Sequence, residues 1–500
     1  MSLGKKILLV LLPLFALALT VLGLFVYLRR LPQPLVRQII SPAWTHPVLI
    51  EPGDTFEITV KCAEEPEIER VVLNNTAAPE ELEYKLKVEK SVFSKEKQSA
   101  VITVRAPKIV PEVLYDISIW YRDGSILLHD RQVNSVAVRM PREHAFSFAV
   151  VSQFAFRADV DNPAQRRKKI RAMFDELNLM NPDFIVLTGG ISDGLWNGAE
   201  DVRTLFQLVE NSLQVPMFII PNEDDIGRVS LLGRTLRSEN TLWRRVSNTR
   251  RFRFAHQGFA FIGADTYSCA DRTRRVISRG DTAPGCISEK ELRWLEKQFE
   301  KATGDKQQIV LFTHHSPARA KWTNDQGLNV DVFQQESQKK LLKIIQKYDV
   351  KVVFSGHVQR DTVQRAGNAD TLFVTTGRSK TLIGADEPAM RLVAVENGVL
   401  NADNISYVNK PASMPLGRVT ATFRKPNDGG ASANSITVNN GIKRPLSNMA
   451  ITVIMARKDD NSNYEVKGEA SVVQAYGTTS QFLFLAFDLE PGEKRIFEIK

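Results

Sequence analysis

The chain has 500 residues, 43% apolar, 25% charged and 8% aromatic, with a net charge of +9 from 66 Lys+Arg against 57 Asp+Glu. That composition excludes a disordered chain, a collagen-like repeat and a polytopic membrane protein, and the length allows about three domains, each with its own core. Three cysteines without a C-x-x-C pair exclude a disulfide scaffold and a structural zinc motif. The basic clusters Arg166, Arg167, Lys168, Lys169, Arg171 and Arg272, Arg274, Arg275 are short and lack interleaved aromatics, so no nucleic-acid partner is expected.

Residues 1–30 read as a separate object. After Lys5 and Lys6 an apolar run occupies residues 7–28 and is closed by Arg29 and Arg30. Twenty-two residues at about 1.5 Å each reach roughly 33 Å, enough for the hydrocarbon core of a bilayer. No small-x-small cleavage site precedes the arginines, so the run reads as one transmembrane helix, an uncleaved signal anchor. Basic residues on both sides (Arg37 follows) leave orientation unset by charge. A short tail before a long apolar run places the bulk of the chain outside the cytoplasm, in the cell envelope or at the cell surface.

Residues 31–46 read as a linker, and residues 47–141 alternate as strands, including 55–60, 100–104 and 115–120. Pro52-Gly53-Asp54 and Arg122-Asp123-Gly124 mark turns, giving a β-sandwich of immunoglobulin or fibronectin type. Residues 145–408 then alternate strand and helix. Strands are expected at 146–151, 184–187, 217–220, 308–313 and 351–355. Helices are expected after Asp161-Asn162-Pro163, along Val202, Leu205, Phe206 and Val209, after the capping box Ser288-Glu289-Lys290-Glu291, and around 341–348. Residues 412–500 return to strand alternation, a second sandwich with a loop at Pro426-Asn427-Asp428-Gly429-Gly430. Cys269 and Cys286, seventeen positions apart, either bridge in an oxidising compartment or stay separate thiols, and spacing alone does not decide; Cys62 is expected to be free.

Polar residues gather where the middle strands end, which is where layered α/β sheets build sites. The successive ends are Ser152-Gln153-Phe154-Ala155, Thr188-Gly189-Gly190-Ile191-Ser192-Asp193, Pro221-Asn222-Glu223-Asp224, Thr313-His314-His315-Ser316-Pro317 and Ser355-Gly356-His357-Val358-Gln359. In order and interval they resemble the five motifs of the calcineurin-like metallophosphoesterases: D-x-H, G-D-x-x-D, G-N-H-D, H-x-P or H-H, and G-H-x-H. The leading sandwich further resembles the purple acid phosphatase branch. The resemblance implies a layered αββα sandwich flanked by the two β-sandwiches.

It also implies a dinuclear metal centre, in which carboxylates, imidazoles and a bridging aspartate hold two ions around a nucleophilic water. Position by position, Gln153 and Ala155 stand where the first motif has aspartate and histidine. Gly190 stands at the bridging aspartate and Gln359 at the last histidine, so one half of the ligand set is lost. The other half keeps Asn222, His314 and His357, with His315, Asp193 and Asp224 as secondary candidates. Glu223 takes the position of the catalytic histidine. The expected cofactor is none, or one weakly bound divalent ion (Zn, Mn, Fe or Mg). The expected function is binding or scaffolding by a membrane-anchored pseudoenzyme, with protein partners on the sandwiches. The alternatives are a phosphoester hydrolase with a single-metal or remodelled site and a structural component of an envelope assembly.

Overall fold

The computed structural model describes Thr20 and residues 38–500, apart from 77–80, 143–144, 153, 155–162, 192–197, 223–224, 226–228, 232–233, 236–242, 244–246, 248, 270–273, 276–283, 320, 324–328, 358–360, 366–369, 378–388, 401–413 and 415. The apolar run at 7–28 thus lies, Thr20 excepted, outside the described residues. Among the described residues no helix is long and apolar enough to cross a membrane.

Two sheets form the first sandwich. One runs Ile39–Ser41, Thr55–Lys61, Ser99–Arg105, Lys87–Ser94; the other Val48–Ile50, Ile126–Val138, Leu114–Asp123, Glu67–Asn75, Glu83–Lys85. Alternation does the work: in Thr55–Lys61, Phe56, Ile58 and Val60 are buried between exposed or half-buried neighbours, and they meet Ile102, Val104, Ile117 and Ile119. The strand Ile39–Ser41 falls in the stretch read from sequence as a linker; it pairs antiparallel with Thr55–Lys61.

The middle domain contains, in chain order, β1 (Phe146–Ser152), α1 (Pro163–Met180), β2 (Phe184–Leu187), α2 (Gly198–Ser212), β3 (Met217–Ile219), β4 (Phe252–His256), β5 (Phe259–Ala264), α3 (Glu289–Gly304), β6 (Gln308–Thr313), α4 (Gln335–Lys347), β7 (Val352–Ser355), β8 (Thr362–Arg365), β9 (Leu372–Thr375) and β10 (Ala389–Val395). They make two facing sheets, β3-β2-β1-β10 and β4-β5-β6-β7-β9-β8. Within each, β1-β2-β3 and β5-β6-β7-β9 are parallel, and β10, β4 and β8 join antiparallel. Strands covered on both faces are continuous apolar runs, such as the fully buried Phe-Ile-Val-Leu of β2.

Phenylalanines fill the space between the sheets. Phe148 stacks on Phe184 at 5.1 Å and meets Phe354 edge-on at 5.6 Å, while Phe312 stacks on Phe354 at 5.4 Å. Outside, α1 and α2 cover the first sheet through Ile170, Met173, Leu177, Val202 and Leu205, and α3 and α4 cover the second through Leu292, Leu295, Phe299, Leu341 and Ile345. The order is helix, sheet, sheet, helix. Ser288 caps α3, its hydroxyl accepting the Glu291 amide at 3.2 Å, as the capping box predicts.

The last sandwich pairs the sheet Val419–Phe423, Asn434–Asn440, Lys494–Ile499, Val466–Lys467 with the sheet Leu446–Ala456, Ser480–Leu489, Ser471–Tyr476. Its core is continuous with that of α1: Met173 and Leu177 belong to one apolar cluster with Val419, Ile436, Met449 and Val453. The Glu176 carboxylate accepts the amides of Gly417, Arg418 and Val419 at 2.8, 2.9 and 2.7 Å. On the other side Asn134 of the first sandwich donates to the Val209 and Leu213 carbonyls at 3.0 and 3.1 Å. Cys269 and Cys286 are bridged, with Cα atoms 5.6 Å apart, and Cys62 is buried and free.

Candidate functional site

The carboxyl ends of β1, β2, β6 and β7 converge because parallel strands in register end together: Val151 lies opposite Leu187, and Thr313 opposite Ser355. The residues just past those ends therefore face one another across the two sheets. His314, His315 and His357 meet there, with one ring nitrogen from each all within 4.8 Å of one another. His314 and His315 are buried and His357 is half-buried.

Two of the rings are oriented by their other nitrogen. His314 Nδ1 lies 2.6 Å from the Thr188 carbonyl oxygen, so Nδ1 carries the proton and Nε2 presents its lone pair. His315 Nδ1 is 2.9 Å from Thr266 Oγ1, whose oxygen also accepts the His315 amide at 3.2 Å. Bonds of this kind, from the far side of the ring, fix metal-ligating histidines. His357 Nδ1 stands 3.2 Å from His314 Nε2. A tetrahedral ion with about 2.05 Å bonds holds its ligand nitrogens roughly 3.3 Å apart. The His314–His357 pair stands at that spacing, and the His315 nitrogen lies within 4.8 Å of both.

The backbone around them is tight. Gly189 has φ +89°, and a Cβ there would stand 2.5 Å from His314 Nδ1 and 3.0 Å from Asn222 Cβ. A Cβ on Gly356 would run into Ser152 Oγ. That hydroxyl is fully buried and has no hydrogen-bond partner among the described residues. His357 itself adopts φ +66°.

Gly190, at the position that the resemblance gives to a bridging aspartate, has φ +85° and donates its amide to Asp225 Oδ2 at 3.2 Å. The same oxygen accepts the Asn222 amide at 3.0 Å, and Asn222 Oδ1 accepts the Asp225 amide at 2.8 Å. So the Asn222 oxygen takes one bond from the backbone of its own turn and keeps a second lone pair. Among the described residues no carboxylate joins the histidine cluster. Gln153, Ala155, Asp193, Glu223, Asp224 and Gln359 lie outside the described residues. Among the described residues the clustered donors are three imidazoles, borderline ligands that suit a divalent transition ion.

Charged residues surround this shell. Beneath His315, Asp265 pairs with Arg250 at 2.9 Å and gives its amide to Glu291 at 3.2 Å. Burial, with the neighbouring Asp265 charge, pushes the Glu291 carboxyl up against the opposing pull of Arg251. Beyond β9, Arg391 is fully buried and pairs with Asp361 at 3.1 Å. Burial lowers its guanidinium, and Asp361 opposes that. Ser152, Asp225, Thr266 and the Arg391–Asp361 pair are absent from the sequence-derived candidates. Asp225 had one local signal, its place directly after the third motif.

Residues 153–361 match the family of calcineurin-like phosphoesterases. No curated protein matches the chain. Among solved structures, the chain is similar to a purple acid phosphatase from yellow lupin seeds at 12% identity and TM-score 0.40, covering 88% of this chain and 72% of that one. It is similar to a dimetal phosphatase from Danio rerio at 13% identity and TM-score 0.37, covering 50% of this chain and 95% of that one. A third is GAP50, described as the anchor in the inner membrane complex of Plasmodium, at 15% identity and TM-score 0.32, covering 55% and 90%.

Proposed function

We propose that this chain, whose residues 153–361 match the family of calcineurin-like phosphoesterases, is a binding or scaffolding protein in which the two-metal centre has degenerated. Gly190 carries the reading. Where two ions need a shared carboxylate, the chain offers a backbone amide already bonded to Asp225. Two-metal hydrolysis stabilises both the attacking and the leaving oxygen; without the bridge at most one ion remains. Losing several kcal/mol of that stabilisation lowers turnover by about three orders of magnitude or more at ~1.4 kcal/mol per tenfold.

A second reading, a single-metal phosphoester hydrolase, is favoured by the histidine cluster. His314, His315 and His357 would hold the ion, Thr188 and Thr266 would orient two of the rings, and the ion would supply Lewis acidity or an activated water. One experiment separates the two readings. Metal content and turnover of a chromogenic phosphate ester are measured on the full chain supplied with Mn, Fe, Zn or Mg. We expect at most one ion per chain and negligible turnover. A rate of about 1 s⁻¹ or more that disappears in His357→Ala would overturn the scaffold reading.

The same proposal places residues 7–28 in a membrane and the rest outside the cytoplasm. The uninterrupted apolar run and the Cys269–Cys286 bridge support it, since disulfides persist in oxidising compartments. Protease added to intact spheroplasts should digest the chain beyond Arg30.

A further inference from the structure

A cleft of about 520 Å³ opens between α1 and the last sandwich, sharing no lining residue with the histidine cluster, walled by Ala172, Asp175 and Leu179 on one side and by Ala421, Phe423 and Ala450 on the other. Two sheet edges form its sandwich wall. Strand Val419–Phe423 ends one sheet and strand Leu446–Ala456 ends the other.

Register shows which backbone groups face the cleft. The amide of Gly441 bonds to the Arg418 carbonyl and that of Arg424 to the Ser435 carbonyl, so even-numbered residues of the first strand point to their inner neighbour. Residues 419, 421 and 423 point outward. The Val419 amide goes to Glu176. The outward amides and carbonyls of Ala421 and Phe423 have no partner among the described residues. On the facing edge, Asn427 takes up the Ile454 amide and the Thr452 carbonyl, and the Ala456 amide reaches the Ala431 carbonyl. The second edge is thus largely closed by the loop that follows Val419–Phe423, and among the described residues nothing pairs with the first at Ala421 and Phe423. Open edges are usually blunted by proline, lysine or a covering loop; Val-Thr-Ala-Thr-Phe carries neither of those residues.

Charge narrows the occupant. Glu176 is spent on the three backbone amides of 417–419, leaving Asp175 as the acid that lines the cleft without a hydrogen bond of its own among the described residues. We propose that this cleft takes an extended peptide segment of a partner protein, which adds as a strand to Val419–Phe423 and sets a lysine or arginine against Asp175. Main-chain bonds to Ala421 and Phe423 supply register, and apolar side chains of the peptide lie on Leu179 and Phe423. This deepens the scaffold reading by naming a partner class. That reading is tested by metal content and turnover, so a failure here leaves it standing.

The test uses full-length protein in detergent and fluorescein-labelled hexapeptides alternating valine with lysine or valine with glutamate. The lysine peptide should bind in fluorescence polarisation and the glutamate peptide should not. Asp175→Lys should weaken binding roughly fivefold or more. Ala421→Pro should abolish it while sparing the fold, because proline is tolerated where an edge-strand amide faces out. An N-methylated lysine peptide, which lacks the donors, should also fail, a result independent of any protein variant. Equal binding of both peptides, indifference to N-methylation, or no binding up to about 1 mM would refute the site. So would concentration-dependent dimerisation that Ala421→Pro suppresses without any peptide binding, since the edge would then belong to a second copy.

Discussion

Gly189 and Gly190 show how much of the site depends on two missing side chains. A Cβ at Gly189 has to displace His314, whose ring is pinned by the Thr188 carbonyl, and the positive φ adds strain for any L residue. Gly189→Ala should therefore cost about 2 kcal/mol in urea unfolding and lower retention of a supplied divalent ion measured by metal analysis. Gly190→Asp meets a different obstacle. It sets a second carboxylate beside Asp225, which already accepts the amides of 190 and 222. Alone it should destabilise the fold without raising turnover. Combined with Asp225→Asn it should recover part of the loss, read as a coupling energy in a double-mutant cycle. Residue types at the strand ends were legible in the sequence; their allegiances were not. His315 reads there as second to His314, because a sequence carries no rotamer, yet both rings enter the cluster. Asn222 reads as a ligand, and its amide oxygen also closes the turn on Asp225, a second role that the motif alone does not reveal.

Among elements, the phenylalanine layer between the sheets sets the spacing of the strand ends. Phe148 touches Phe184, Phe261, Phe312 and Phe354, so it ties β1 and β2 to β5, β6 and β7. Phe148→Ala should cost about 3–5 kcal/mol, visible as a lower denaturant midpoint with little change in slope. Strand and helix positions in this domain follow the local pattern closely: 184–187 and 308–313 are strands as expected, and Ser288 caps its helix. The division of those strands into two sheets has no local signature. β10 returns antiparallel to β1 after a long excursion, and only tertiary packing brings Val150 opposite Arg391.

For the molecule as a whole, the contacts between domains are polar clamps set in apolar surroundings. Glu176→Ala removes the acceptor of three amides and should cost about 2–4 kcal/mol, with faster hydrogen exchange at 417–419 as the local readout. A second clamp joins the first sandwich to β4. Burial alone would push the Asp183 carboxyl up. The His256 hydrogen bond, with the charges of His256, Arg139 and Arg142, reverses this and holds it below the usual carboxylate range. A carboxyl lowered on folding stabilises above its unfolded value, near 4, and loses that contribution as pH falls further. Melting temperature should drop below about pH 4, and Asp183→Asn should flatten that limb.

The double duty of α1 has a corollary. One flank of this helix closes the first sheet while another completes the last sandwich, through Met173, Leu177 and the three amides held by Glu176. It is a party wall, and neither room stands without it. A chain cut after residue 400 would bare Met173 and Leu177 to water and should be recovered as aggregate. Substitutions at the strand ends, by contrast, leave the party wall untouched. The residues that hold the architecture upright are thus not those at the strand ends, so either set can be altered while the other is left as it is.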